Sequence, residues 1–243
     1  LVALGYTMVY GIMGLINFAH GELMTTAGYV MAFSLAAAVP FPLAIVVAVA
    51  APVAMAMAME RVAFRPVRGA SGTTLLLTSF AVSAILRVLF QNFITARPVP
   101  VPMPSALSGV ISIGPLHLGI IQSISIATTA LMLIGLTLFL NRTVAGRAMR
   151  AASEDFAIVR LMGLRANGVV ATAFAISGLL AGVAGLLWVA QRGSVDPLMG
   201  FLPVLKAFIA AIIGGLGSLT GAVAGGFLLG FIGTMTTKET EAV

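Results

Sequence analysis

The chain has 243 residues, of which 60% are hydrophobic and only 8% are charged. A soluble domain has about 25% charged residues, so this composition excludes an ordinary water-soluble fold and indicates a surface that faces lipid. The net charge of +6 fits basic loops on one side of a bilayer. The aromatic and basic residues do not alternate as they do in nucleic-acid-binding surfaces. The absence of Cys excludes disulfides and thiol chemistry.

Hydrophobic segments follow one another along the chain. A bilayer core of about 30 Å needs roughly 20 apolar residues in helical form, and some of the segments are shorter than that. In chain order the predicted segments are about eight, covering residues 1–15, 23–39, 41–59, 73–94, 118–140, 169–190, about 203–216 and about 219–235. They predict an all-α, polytopic transmembrane helical bundle.

Two breaks interrupt the apolar pattern, one near each end of the chain. The first is the polar run Asn-Phe-Ala-His-Gly-Glu at 17–22, and the second is Gly-Gly-Leu-Gly-Ser at 214–218. Inverted repeats in transporters often leave such a pair of broken helices near the substrate path. We therefore expect an inverted internal repeat, with two ordinary glycine-rich turns as the alternative.

The first break carries ionisable residues, His20 and Glu22, beside apolar segments. Ionisable groups at membrane depth are costly and usually functional, so the break could line a cavity and form part of a gate. Alternatively it is a cytoplasmic turn, in which Asn17 caps a helix and Glu22 complements a helix dipole. The sequence leaves both interpretations open.

The distribution of Arg predicts which loops share a side of the membrane. The loops between the third and fourth segments and between the fifth and sixth hold 8 of the 13 basic residues, which places both on the cytoplasmic side. The loops at 95–117 and 191–202 hold only Arg97 and Arg192 and are predicted to face outward. Five Pro residues favour extended structure in the 95–117 loop.

One of the basic loops contains an amphipathic stretch at 148–164, with charged residues spread between apolar ones. This pattern predicts a short helix outside the membrane. The helix could dock on another protein, or it could pack only on its own chain.

Two charged residues fall inside predicted spans. Arg87 either snorkels toward an interface or pairs with a carboxylate of another helix, whereas Lys206 fits snorkelling. Small residues at helical spacing, such as Gly178, Gly182 and Gly185, predict close helix–helix packing.

Signals of an enzyme are weak. The chain has two His and no Cys, and it lacks HExxH, GxSxG and Walker A motifs. We therefore predict a transport subunit without a cofactor or metal of its own, and any ATP must be used by partner chains.

Three stretches resemble the permeases of branched-chain amino-acid ABC importers. They are residues 3–22, ending in NFAHGE after a YGIMG segment; GRAMRAA at 146–152, with Gly163 following; and Lys206-Ala-Phe with GGLGS at 214–218 and Gly221. Together they cover nearly the whole chain in the family's order. The loop departs from the general ABC-permease pattern, because Ala151-Ala152 follows Arg150 rather than Glu.

The resemblance implies a permease that forms half of a translocation pathway. Its expected partners are a second homologous permease subunit, two cytoplasmic ATP-binding subunits, an extracytoplasmic substrate-binding protein and the lipid bilayer, with no nucleic acid. The amphipathic stretch would be the coupling helix that docks on the ATPase. The implied substrates are leucine, isoleucine and valine. Urea, short amides or other small polar solutes are alternatives, as is a stand-alone secondary transporter.

Candidate site residues fall into two groups. The candidates for the translocation pathway or gate are Asn17, His20, Gly21, Glu22, Gly214, Gly215, Gly217 and Ser218. The candidates for ATPase coupling are Arg147, Arg150, Ala151, Ala152, Glu154, Asp155 and Gly163.

The whole chain, 1–243, is expected to be a single transmembrane permease domain with a cytoplasmic coupling loop at about 141–168. We expect it to lack the start of its first span and a final span. Its expected location is the inner membrane of a bacterial cell or the cell membrane of an archaeon, as a multi-pass protein.

Overall fold

The computed structural model describes residues 1–104, 107, 109–113, 116–154 and 166–241. Within these ranges the helices are α1 (Val2–Met13), α2 (His20–Ala36), α3 (Phe41–Met59), α4 (Gly72–Phe93), α5 (Ile120–Arg142), α6 (Val144–Glu154), α7 (Ala166–Arg192), α8 (Phe201–Gly214) and α9 (Leu219–Glu241). The strands are β1 (Val99–Pro100), β2 (Val110–Ile113), β3 (Leu116–Gly119) and β4 (Ser194–Val195).

The helices confirm the predicted all-α bundle. Each of the eight hydrophobic segments corresponds to one helix, and α3 has the predicted bounds. Among the described residues, four helices are long and apolar enough to cross a membrane, and α8 with α9 makes a fifth candidate that is bent by 119° at its break. The α3 span continues through one π-helical turn, Glu60–Phe64, so Glu60 does not end it.

Helix α7 lies at the centre of the bundle. Of its most apolar stretch, 67% is buried inside the protein, against 11% for α5, whose exposed apolar side chains therefore suit lipid. Its glycine face permits this central position, because a Cβ on Gly178 would lie 2.7 Å from the Pro52 carbonyl oxygen and one on Gly185 would lie 2.6 Å from that of Met24. The predicted role of these glycines in close packing is thus confirmed.

Contacts between loops agree with the predicted sides. On one side, β1 pairs antiparallel with β4, Val99 opposite Val195, which joins the two loops that were predicted to face outward. On the other, Arg68 contacts Glu60 and donates a hydrogen bond of 2.7 Å to Asn167 at the start of α7. The antiparallel pair of β2 and β3 also begins in the 95–117 loop, in agreement with the extended structure predicted there.

Two boundaries differ from the prediction. Gly14, at φ +63°, ends α1 and donates its N–H to the Tyr10 carbonyl, so the first break covers 14–19 rather than 17–22. His20, Gly21 and Glu22 instead form the first turn of α2, where a carboxylate complements the helix dipole. The amphipathic helix α6 begins at Val144, ahead of the predicted 148, and residues beyond Glu154, including Asp155 and Gly163, lie outside the described residues.

Candidate functional site

The chain reverses direction between α1 and α2. Gly5 and Gly14 are about 13 Å apart along α1 at 1.5 Å per residue, yet a Cβ on Gly5 would lie 3.0 Å from the His20 ring. Residues 14–19 therefore run back beside α1, and α2 starts opposite the first turns of α1. The His20 ring is fully buried, with Nδ1 3.1 Å from the Ser177 hydroxyl of α7.

The first break is sealed by α4 and α8. Phe18 donates its backbone N–H to the Ser79 hydroxyl at 3.3 Å, and that hydroxyl lies 2.8 Å from the Ile16 carbonyl oxygen. The Phe18 ring stacks on Phe80 and meets Phe208 edge-on, with centroids 4.2 and 5.4 Å apart. Irregular backbone is tolerated at membrane depth where protein buries it, and this packing provides that burial. Asn17 is buried as well.

Glu22 forms the centre of a polar cluster between α2 and α4. Its carboxylate is 2% exposed, accepts a hydrogen bond of 3.0 Å from the Ser83 hydroxyl, and pairs with the Arg87 guanidinium at 3.3 Å. The guanidinium also lies 4.9 Å from the centroid of the Phe201 ring. Of the two interpretations of Arg87, the structure thus favours pairing with a carboxylate of another helix.

Gly21 brings the start of α8 against the same turn of α2. A Cβ on Gly21 would overlap the carbonyl oxygen of Gly200, and a Cβ on Gly200 would overlap that of Gly21. Since Gly200 is the N-cap of α8, this backbone contact places the first residue of α8, Phe201, beside Arg87.

The second break lies at the far end of α8. Gly215 and Gly217 have φ values of +91° and +90°, a conformation that favours glycine, and Gly214 and Gly221 meet through their backbones. The hydroxyl of Ser218 accepts the Gly221 N–H at 3.1 Å. These contacts turn the chain sharply from α8 into α9.

The amphipathic helix α6 packs close to this second break. A Cβ on Gly11 of α1 would lie 3.7 Å from the Gly217 Cα and 3.8 Å from the Ser153 Cβ of α6. A small cavity of about 40 Å³ separates these elements, and Arg150, Met149 and Gly217 contribute to its lining. Movement of α6 would therefore reach the Gly217 turn through Gly11 of α1.

The two faces of α6 differ as the sequence predicted. Ala148, Met149 and Ala152 are buried against the chain, and Ala151 is partly buried. The charged residues Arg147, Arg150 and Glu154 are exposed, with Arg150 donating a hydrogen bond of 2.7 Å to Asn141. The helix packs on its own chain through one face and leaves the other open.

The structure divides the predicted pathway residues into two places. Gly21 and Glu22 lie at the start of α8, in the same turn of α2 as His20. Asn17 precedes Phe18, which packs on Phe208 in the middle of α8, and the 214–218 turn lies at the end of that helix. The two ends are about 21 Å apart, the length of a 14-residue helix. They do not meet in one site.

Several residues that contact Phe18, His20, Gly21, Glu22 or Arg87 were not predicted from the sequence as site residues. They are Gly5, Ser79, Ser83, Ser177, Gly200 and Phe201. One signal was available, since Ser79, Ser83 and Arg87 recur every four residues and so share a face of α4. The partners on other helices follow from tertiary contacts and carry no local signal.

Comparison with known proteins identifies the family. The family model described as branched-chain amino acid transport system, permease component, matches residues 1–241. The chain belongs to this permease family. The family's description confirms the resemblance noted from the sequence and the prediction of a membrane transport subunit rather than an enzyme.

Three curated relatives, from two bacteria and an archaeon, are named as branched-chain amino acid permeases. The chain is 38% identical over 242 residues to the high-affinity branched-chain amino acid transport system permease protein BraD of Pseudomonas aeruginosa, covering 95% of this chain and 79% of that protein. It is 34% identical to LivH of Escherichia coli K12, covering 95% of this chain and 79% of that protein. It is 28% identical to the probable branched-chain amino acid transport permease protein LivH of Methanocaldococcus jannaschii, covering 98% of this chain and 76% of that protein. No solved structure matched the chain significantly.

Proposed function

We propose that this chain is the transmembrane permease subunit of an ABC importer for leucine, isoleucine and valine. The observation that carries the proposal is the 38% identity to BraD over 95% of the chain, because that relative is named for high-affinity branched-chain amino acid transport. The importer resides in the cell membrane of a bacterium or archaeon. The chain forms half of the translocation pathway, and a second homologous permease subunit forms the other half.

Energy comes from two cytoplasmic ATP-binding subunits, and a substrate-binding protein outside the membrane delivers the amino acid. The exposed charged face of α6 docks on an ATP-binding subunit, while its buried face transmits the movement to α1 and to the 214–218 turn. This division of α6 into an open face and a packed face supports the coupling role. Arg147 and Glu154 belong to the docking face, and Ala152 to the packed face; Asp155 and Gly163, outside the described residues, remain predicted members of the coupling segment.

The path is gated at two levels. The cluster around Glu22 lies at the end of α8 nearer the β1–β4 pair, and the 214–218 turn lies at the end nearer α6. Closure at one level with opening at the other gives alternating access. The burial of Asn17, His20 and Glu22 supports a state that is closed at the first level.

Leucine uptake in proteoliposomes tests this function. The vesicles contain this chain with its candidate permease and ATP-binding partners, and the binding protein is supplied outside. We expect uptake that requires both ATP and the binding protein and that unlabelled isoleucine or valine suppresses. A matched preparation carries an ATP-binding subunit without hydrolytic activity, and its uptake should fall to background.

Other outcomes correct the proposal in defined ways. ATP-dependent uptake of urea, a short amide or another solute in place of leucine would keep the importer and discard the substrate. Uptake by this chain alone, driven by an ion gradient, would replace the proposal with a secondary transporter.

A further inference from the structure

The cluster of Glu22, Ser83, Arg87 and Phe201 has binding capacity that its own contacts do not use. Glu22 pairs through Oε1 with both Ser83 and Arg87. The second carboxylate oxygen, Oε2, is buried without a hydrogen-bond partner among the described residues, and so is Nε of Arg87. A buried unpaired polar atom costs about 1–3 kcal/mol. Because these two atoms belong to paired residues of opposite charge, a ligand with both a donor and an acceptor would satisfy them.

The charge balance of the cluster favours a carboxylate as the acceptor. Glu22 lies in the first turn of α2 and Phe201 is the first residue of α8, so the positive ends of two helix dipoles converge on the cluster. Together with Arg87 they surround the carboxylate of Glu22. One further negative group would complete the balance, and the start of a broken helix is a favourable place for a substrate carboxylate.

The cluster also lies close to the surface of this chain. Arg87 is 25% exposed and Phe201 is 36% exposed, although Glu22 beneath them is buried. Arg87 lies about 22 Å along α4 from its first residue at 1.5 Å per residue, within a predicted span. A charged side chain at such depth is costly against lipid, so its exposed part fits a water-filled path or a partner chain.

We propose that Glu22 and Arg87 bind the charged ends of an α-amino acid in transit. This inference rests on the proposed import function and names the group of the substrate that the pathway recognises. The substrate ammonium binds Oε2 of Glu22, which Arg87 leaves unused, while the substrate carboxylate binds the guanidinium through Nε and the first turn of α8. The apolar side chain of the substrate contacts the Phe201 ring. Without substrate, the two residues neutralise each other and close the path.

A purely structural ion pair is the competing explanation, and a double variant separates the two. Glu22→Gln with Arg87→Gln removes both charges at once, so no uncompensated charge stays buried. Amide side chains retain hydrogen bonding between α2 and α4. A structural pair predicts that the double variant recovers the uptake that either single variant loses. A substrate site predicts that uptake stays reduced by about tenfold or more, the expected effect of losing a charge-assisted contact.

The uptake assay is paired with ATP hydrolysis stimulated by the loaded binding protein. We expect that stimulation to persist in the double variant while leucine uptake falls. The matched control is Arg192→Gln, since Arg192 also stacks on an aromatic ring, that of Trp188 at 4.5 Å, and it should leave both readouts unchanged. Recovery of uptake in the double variant, or joint loss of uptake and stimulation from an intact complex, would overturn the inference.

A binding measurement on the unaltered complex keeps the test independent of folding. L-leucine at millimolar concentration should raise the melting temperature of the purified permease–ATPase complex without binding protein. Isoamylamine, which lacks the carboxylate, and 4-methylpentanoate, which lacks the ammonium, should shift it much less. Equal shifts by all three compounds, or none by leucine, would contradict a zwitterion site even if the importer transports leucine. Failure of the import function would instead appear as absent leucine uptake by the unaltered proteoliposomes.

Discussion

Gly21 and Gly200 meet backbone to backbone, and this contact joins the first turn of α2 to the start of α8. No side chain larger than hydrogen fits at either position without moving one helix away from the other. The contact therefore fixes Phe201 beside Arg87 and determines the geometry of the Glu22 cluster.

Replacing Gly21 with Ala tests this contact. We expect Gly21→Ala to lower the free energy of unfolding by about 1–3 kcal/mol or more, because the Cβ overlaps the Gly200 carbonyl, and to reduce uptake strongly. Thermal unfolding of the purified complex measures the first effect. Gly135→Ala in α5 is the matched control, since a Cβ there meets nothing within 4 Å. Equal melting temperatures for the two variants would refute the close contact.

The hydrogen bond between His20 and Ser177 gives a second prediction about stability. Ser177→Ala leaves the buried Nδ1 of His20 without its partner at 3.1 Å, so we expect a loss of about 1–3 kcal/mol in stability. Thr137→Ala is the control, since the Thr137 hydroxyl bonds only within its own helix and is exposed. Equal melting temperatures for the Ser177→Ala and Thr137→Ala complexes would show that the hydrogen bond does not contribute to stability.

Replacing Gly217 should both strain the backbone and disturb coupling to ATP hydrolysis. A comparison with Gly193, which has a similar backbone conformation but lies away from α6, separates the two effects. Gly217→Ala and Gly193→Ala both force alanine into the left-handed region, at φ +90° and +70°, at a cost of about 1–2 kcal/mol each. Gly217 lies against Gly11 near α6, whereas a Cβ on Gly193 would meet nothing within 4 Å. We therefore expect both variants to lose stability, but only Gly217→Ala to lower the number of leucine molecules imported per ATP hydrolysed. If Gly193→Ala lowered the number of leucine molecules imported per ATP as much as Gly217→Ala, the result would argue against a coupling role for the turn.

Helix α6 offers substitutions that act on its two faces separately. Arg147→Glu reverses a charge on the exposed face, so it should weaken co-purification of the ATP-binding subunit while the melting temperature of the isolated permease stays the same. Ala152→Arg forces a large charged group into a site that is 3% exposed. It should lower that melting temperature and abolish ATP-driven uptake. Near-normal uptake with Ala152→Arg would count against the packing of α6 on its own chain.

The sequence predicted the helical segments well because lipid imposes a strong pattern: apolar runs of fixed length, separated by polar loops. Bounds were least accurate where local chemistry competes. Gly14 ends α1 earlier than the hydropathy suggested. The polar residues His20 to Glu22 can form the first turn of α2 inside the bundle, since Ser177 and Arg87 on other helices pair with His20 and Glu22. Such partners have no signature in the local sequence. The sequence therefore identified Glu22 and Arg87 as notable and offered pairing with a carboxylate as one role of Arg87, but it did not name Glu22 as that carboxylate.

The grouping of loops by side was predictable for a similar reason. Arg counts depend only on the chain itself, and the pairing of Val99 with Val195 and of Arg68 with Asn167 agrees with them. The distance between the Glu22 cluster and the 214–218 turn was not predictable, since it depends on α8 running between them. The inverted repeat stays a prediction.

Helix α8 touches the Glu22 cluster with its first residues and the 214–218 turn with its last. If this helix tilts as a rigid unit, a tilt of about 10° around its midpoint shifts each end by about 2 Å, in opposite directions. Widening at one end is then accompanied by narrowing at the other. In the proposed importer, a tilt of this 14-residue helix would keep the two ends of the path from being open at the same moment and so prevent leakage across the membrane.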